Sequence, residues 1–112
     1  MSDKNLGELQ ELVLLVIGNL KREAYGLAIK AYINEELDRP ISISAVHATL
    51  QRLEKKGMVT STYDNSSATD RGGRPKLVFE ITAFGEQELT AIRTLRNRLW
   101  DGFGSVSLNQ GS

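Results

Sequence analysis

Cysteine is absent from the 112 residues, and histidine and tryptophan occur once each, as His47 and Trp100. Without thiols there is no disulfide framework, no cysteine nucleophile and no cysteine-rich zinc site, which fits a reducing compartment. A single histidine likewise leaves no pair for a metal site or a catalytic dyad, so neither cofactor nor metal is expected. Long hydrophobic runs are missing too. The longest, "LVLLVIG" at 12–18, is far short of a bilayer span, and the opening "MSDKNLGELQE" has no basic stretch ahead of an apolar one. A cytoplasmic protein without membrane attachment is the expectation. Net charge is zero, so bulk charge alone gives no case for a polyanionic partner.

What is present is ordinary for a folded chain: hydrophobic residues make up 40% and charged residues 25%, enough for one domain with one modest core. The charge is unevenly spread. Residues 1–40 carry five cations against seven anions and residues 77–112 three against four, whereas residues 51–76 carry six against three. The middle of the chain is therefore locally basic.

Leu6, Leu9, Leu12, Val13, Val16, Ile17 and Leu20 recur at three- and four-residue steps, with Leu14 and Leu15 widening the stripe, which predicts a first helix over 6–20. A second follows over 25–37 and stops ahead of Pro40, which disfavours helical geometry in the preceding residue. The β-branched "ISI" at 41–43 is expected to form a short strand. Ser44 is the expected N-cap of a third helix over about 45–56, with Val46, Leu50 and Leu53 inward and Gly57 at its end. Ala48, Gln51, Arg52 and Lys55 then fall on the opposite face. "MVTSTY" at 58–63 and "KLVFEIT" at 76–82 alternate as two antiparallel strands, joined by the long polar "DNSSATDRGGRP". Thr82 is placed to cap a fourth helix from 83, with a stripe of Leu89, Ile92, Leu95 and Leu99, and residues 104–112 are expected to form a disordered tail.

This order describes a mainly α fold with a small antiparallel β-hairpin: a winged helix-turn-helix over residues 1–82 plus a C-terminal helix over 83–103. In that architecture the third helix enters the major groove of double-stranded DNA and the hairpin is the wing that reaches the backbone. Gln51 and Arg52 are the candidates for base edges, since glutamine suits adenine and arginine suits guanine; Ser44, His47, Lys55 and Lys56 are the candidates for phosphates. In the wing, Gly72 and Gly73 allow close approach to a phosphate, Pro75 restrains the tip, and Arg71, Arg74 and Lys76 supply charge-assisted contacts. No carboxylates form a spaced pair, and no glycine loop opens a helix in the manner of a phosphate-gripping motif, so catalysis is not expected. A winged helix that binds another protein in place of DNA is the alternative on the same fold.

"LVLLVIGNL", "AYGLAI", "ISISAVHATLQRLEKKGMV", "GGRPKLVFEIT" and "TAFGEQEL" together resemble the PadR-like family of bacterial transcriptional regulators, in its compact form with a single C-terminal helix. The resemblance implies a homodimer joined through the C-terminal helices, here through the stripe Leu89, Ile92, Leu95 and Leu99. It further implies binding to a palindromic operator, usually as a repressor. Where family members often carry tyrosine then proline on the recognition helix, this chain has His47 and Ala48. Some compact members take planar drugs between tryptophans on the last helix, which makes Trp100 the candidate wall of a pocket for a small apolar effector.

Overall fold

The computed structural model describes residues 6–65 and 75–111, and for 105–111 the backbone only. Its elements are α1 (Glu8–Leu20), a 3₁₀ turn (Lys21–Glu23), α2 (Gly26–Glu35), α3 (Ile43–Lys55), β1 (Val59–Asp64), β2 (Lys76–Ile81) and α4 (Ala83–Gly111). This is the mainly helical winged-helix architecture with one two-stranded hairpin.

Three helices share the core because each supplies one apolar face to the same centre. Val13, Leu14, Val16 and Ile17 of α1 meet Ile29 and Ile33 of α2 and Val46, Leu50 and Leu53 of α3, all buried. Met58, Val59 and Phe79 close it from the hairpin. Leu15, in contrast, faces solvent. Thr49 is the buried polar residue, and its hydroxyl donates to the Ala45 carbonyl at 2.8 Å. A buried donor satisfied within its own helix costs the core little.

The chain turns from α2 to α3 through Asp38, whose φ of +51° is one of the few left-handed values that a short polar side chain tolerates. Residues 41–43 form no strand. The Ile41 N–H donates to Asn34 Oδ1 at 2.9 Å, and α3 begins at once because the Ser42 hydroxyl accepts from the Ala45 N–H at 3.1 Å. Ser42 is thus the N-cap, and Ser44 already lies in the first turn of the helix. At the other end Gly57 adopts φ +79°, the left-handed geometry expected of a helix terminator.

β1 and β2 pair antiparallel, with Val59 opposite Ile81 and Asp64 opposite Lys76. A third edge comes from Ala24 and Tyr25, ahead of α2: the Phe79 N–H donates to the Ala24 carbonyl at 2.8 Å and Tyr25 forms an antiparallel bridge with Val78. The root of the hairpin is therefore fastened to the start of α2.

Thr82 caps α4 as expected, accepting from the Gly85 N–H at 3.0 Å while its own hydroxyl donates to the Gly57 carbonyl at 2.7 Å. Gly85 is required there by contact, since a Cβ would collide with the Met58 carbonyl oxygen. α4 continues through the 104–111 stretch expected to be a disordered tail. That stretch contains no proline, so nothing covalent stops the helix begun at Ala83. With 29 residues it spans about 43 Å at the usual rise. Among the described residues no helix is long and apolar enough to cross a membrane.

Candidate nucleic-acid interface

α3 buries Val46, Thr49, Leu50 and Leu53, and outside it carries a continuous stripe of Ser44, His47, Ala48, Gln51, Arg52 and Lys55, all exposed, with the exposed Glu54 beside it. The stripe follows from spacing: these positions recur every three or four residues, so they stack along one side of a helix of about 20 Å. Arg52 and Lys55 form no ion pair among the described residues and present their full charge to solvent.

The wing joins this stripe at its root. A groove of about 470 Å³ lies between α3, the start of α2 and β2, and its walls include His47 and Gln51 on one side and Pro75 and Lys76 on the other. α3 and the hairpin thus border one concavity. Leu27, exposed at the start of α2, lines it as well. A larger groove of about 630 Å³ on the other side of the hairpin mixes Lys21 and Arg22 with Asp64, Glu80 and Glu86. Three acids against two bases make that groove net acidic, whereas the smaller one sets a single acid, Glu54, against Lys76.

Two expected phosphate contacts are already engaged within the chain. Lys56 Nζ donates to Gln10 Oε1 at 2.6 Å, which draws that side chain toward α1 and off the exposed stripe. Lys76 Nζ sits 4.2 Å from the centre of the Tyr25 ring and 4.0 Å from Glu23 Oε1, with its side chain only 17% exposed. A cation over an aromatic face and beside a carboxylate fastens the wing root, so its charge is partly spent there. Sequence periodicity cannot find either contact, because each partner lies on another element. Arg71, Gly72, Gly73 and Arg74 lie outside the described residues.

Among the described residues no three histidine or acidic side chains cluster as a metal site. The ion pair with a resolved electrostatic consequence lies elsewhere. Arg39 Nη1 and Nη2 each sit 3.0 Å from a Glu8 carboxylate oxygen, an exposed bidentate pair. Hydrogen bonding by Arg39, then its charge, holds the Glu8 carboxyl below the usual carboxylate range, and Glu8 raises Arg39 in return.

The expected dimer stripe divides. Leu89 packs against the chain's own core and Ile92 is half-buried, whereas Leu95 and Leu99 are exposed. Trp100, 67% exposed, stands edge to face with Phe103 at 5.6 Å between ring centres, and these two with Leu99 line a shallow groove of about 250 Å³. Arg96 Nη2 meets Glu11 Oε1 at 2.8 Å and ties α4 to α1 between the exposed Leu95 and Leu99.

Comparison with known proteins places this geometry in context. A family profile described as the transcriptional regulator PadR-like family matches residues 13–91. Among solved structures, a PadR family transcriptional regulator from Eggerthella lenta DSM 2243 is 30% identical, with a TM-score of 0.64 over 88% of this chain and 85% of that one. A PadR family transcription regulator from Clostridium difficile R20291 is 21% identical, with a TM-score of 0.56 over 90% and 98% of the two chains. No curated protein matches the sequence.

Proposed function

The chain belongs to the PadR-like family of transcriptional regulators, a family of DNA-binding regulators and not of enzymes, and on that premise we propose that it acts in the cytoplasm as a homodimeric repressor. Each copy lays α3 in the major groove of double-stranded DNA. The observation that carries the reading is the exposed stripe Ser44, His47, Gln51, Arg52 and Lys55, bare of large apolar side chains and bordered by the root of the wing. Gln51 and Arg52 read base edges; Ser44, His47 and Lys55 contact phosphates. Lys56 and Lys76 serve chiefly as struts, the first to α1 and the second to the 3₁₀ turn and Tyr25. Arg71 and Arg74 extend the backbone contacts, with Gly72 and Gly73 allowing close approach.

The homodimer is supported by the uncovered side chains of Leu95, Leu99, Trp100 and Phe103, which one copy leaves in water. A two-fold dimer of this kind recognises a pseudo-palindrome whose half-site centres lie about one helical turn, or a multiple of it, apart. The Trp100 and Phe103 groove at that seam is where a flat apolar effector would be received.

Selection of bound duplexes from a random pool tests the reading, and a pseudo-palindromic consensus is expected. Arg52→Ala should then cost about 1–3 kcal/mol and relax preference at one position of each half-site. Arg74→Ala should instead weaken all sequences alike and lower the salt slope by about one unit. Recovery of no enriched sequence, with equal effects of both variants on every duplex, would remove α3 from base reading.

A further inference from the structure

The sole histidine of the chain, His47, is exposed on α3, yet its ring rests on another helix. It lies over Gly26, the first residue of α2, so closely that a Cβ there would stand 2.8 Å from His47 Nε2 and 3.2 Å from Cδ2. Real side chains do not approach so near. Backbone geometry does not demand the glycine: among the described residues the positive-φ glycine is Gly57, not Gly26. The other neighbour of such a Cβ, Ile43 Cδ1, would be 3.6 Å away, an ordinary contact. The imidazole is thus what the missing Cβ accommodates.

We propose that Gly26 is a positioning residue for the DNA-binding face: its bare Cα is the seat on which the His47 imidazole lies, so the direction in which His47 meets DNA is set by α2. His47 and Gly26 line the same groove as Gln51 and Lys76. A ring pressed onto Gly26 leaves the α3 stripe open at its middle, between Ser44 and Gln51. A ring lifted by a methyl group at position 26 swings into the space that a duplex would fill. The inference rests on the reading of α3 as the DNA-contacting helix, but its structural half stands without DNA.

The contact is between a backbone position and the tip of a movable side chain, so Gly26→Ala is expected to redirect the ring and leave the fold intact. Alanine also favours a helix over glycine, so the melting midpoint should hold or rise. Because the chain has one histidine, its two ring C–H signals in a proton–carbon NMR spectrum are assigned without further work. Both should move in G26A. Affinity for a duplex selected from a random pool by the wild-type chain should fall about two- to tenfold in G26A, the range of one hydrogen bond. His47→Ala empties the seat, so the double variant G26A with H47A should bind no more weakly than H47A alone.

Unmoved ring signals in G26A would overturn the proposal, and so would losses that add in the double variant, because Gly26 would then act by another route. An unfolded G26A would overturn it as well, since the neighbour would not be a tip free to move. If the wild-type chain retains no duplex from the pool, the DNA reading fails while the ring signals still decide whether Gly26 seats His47.

Discussion

α3 and the distal half of α4 are both exposed helices, yet they expose opposite things. α3 buries every large apolar side chain it has between Val46 and Leu53 and shows solvent small, polar and basic residues with one acid, Glu54. Beyond Ile92, α4 leaves Leu95, Leu99, Trp100 and Phe103 in water. A hydrophobic stripe with no partner is unfavourable by roughly 25 cal/mol for each Å² that could be covered. α3 is finished within one chain and is free to meet a hydrated, charged ligand; α4 is finished only by a second apolar surface.

The most forceful way to break this contrast is to compare one leucine from each helix. Leu53, fully buried, should cost about 2–5 kcal/mol of unfolding free energy when replaced by alanine, through lost burial and the cavity left behind. Denaturant titration reads the loss. A cost near zero would mean that α3 is not anchored through this face.

Leu99→Asp addresses the other side. It adds a charge to a position that one copy leaves open, so the single-chain fold should survive with its helical circular dichroism. The proposed dimer, in contrast, loses the same leucine from both copies and should weaken by at least about 2 kcal/mol, given the usual worth of one buried leucine. Sedimentation across a concentration series measures it. A dimer as tight as before would place the seam away from the Leu95, Leu99 and Phe103 stripe.

The contrast also explains what the sequence discloses. Periodicity and punctuation are local, so the hairpin, Gly57 as helix terminator and Thr82 as cap are readable from neighbouring residues. "ISIS" at 41–44 misleads because two serines alternate with two isoleucines: either hydroxyl suits a cap and the isoleucines suit a strand. Ser42 prevails by bonding the Ala45 N–H, which starts the helix two residues early and removes the strand. The extra sheet edge at Tyr25 depends on Val78, far along the chain, and has no local signal.

The candidate site is legible to a similar depth. The α3 stripe follows from a helical wheel, which puts Lys55 opposite the core and Lys56 to one side, but only tertiary packing sends Lys56 to Gln10. Alternation likewise puts Lys76 at the strand entrance without revealing that Tyr25 and Glu23 hold it. Gly26 stands in "AYGLAI" as one small residue in a helical pattern, and its closeness to His47 appears only once α2 and α3 are packed.

The gentlest probe of the contrast is the polar margin of the finished half, where Arg39, just ahead of α3, grips Glu8 at the start of α1. Glu8 has its carboxyl held low in the folded chain, chiefly by the Arg39 hydrogen bonds, so the folded state favours the charged form more than the unfolded state does. The pair's contribution is therefore complete above the ordinary carboxylate range and disappears as pH falls through the lowered folded value. Both groups are exposed and screened by water and salt, which keeps the effect small. Glu8→Gln should thus be slightly less stable than wild type at neutral pH and in low salt, and the two melting curves should converge as pH drops below the carboxylate range. Added salt should narrow the neutral-pH gap in the same direction. Curves that stay equally far apart at every pH would mean that the Glu8 side chain acts through packing, and that the approach to α3 is not held by charge.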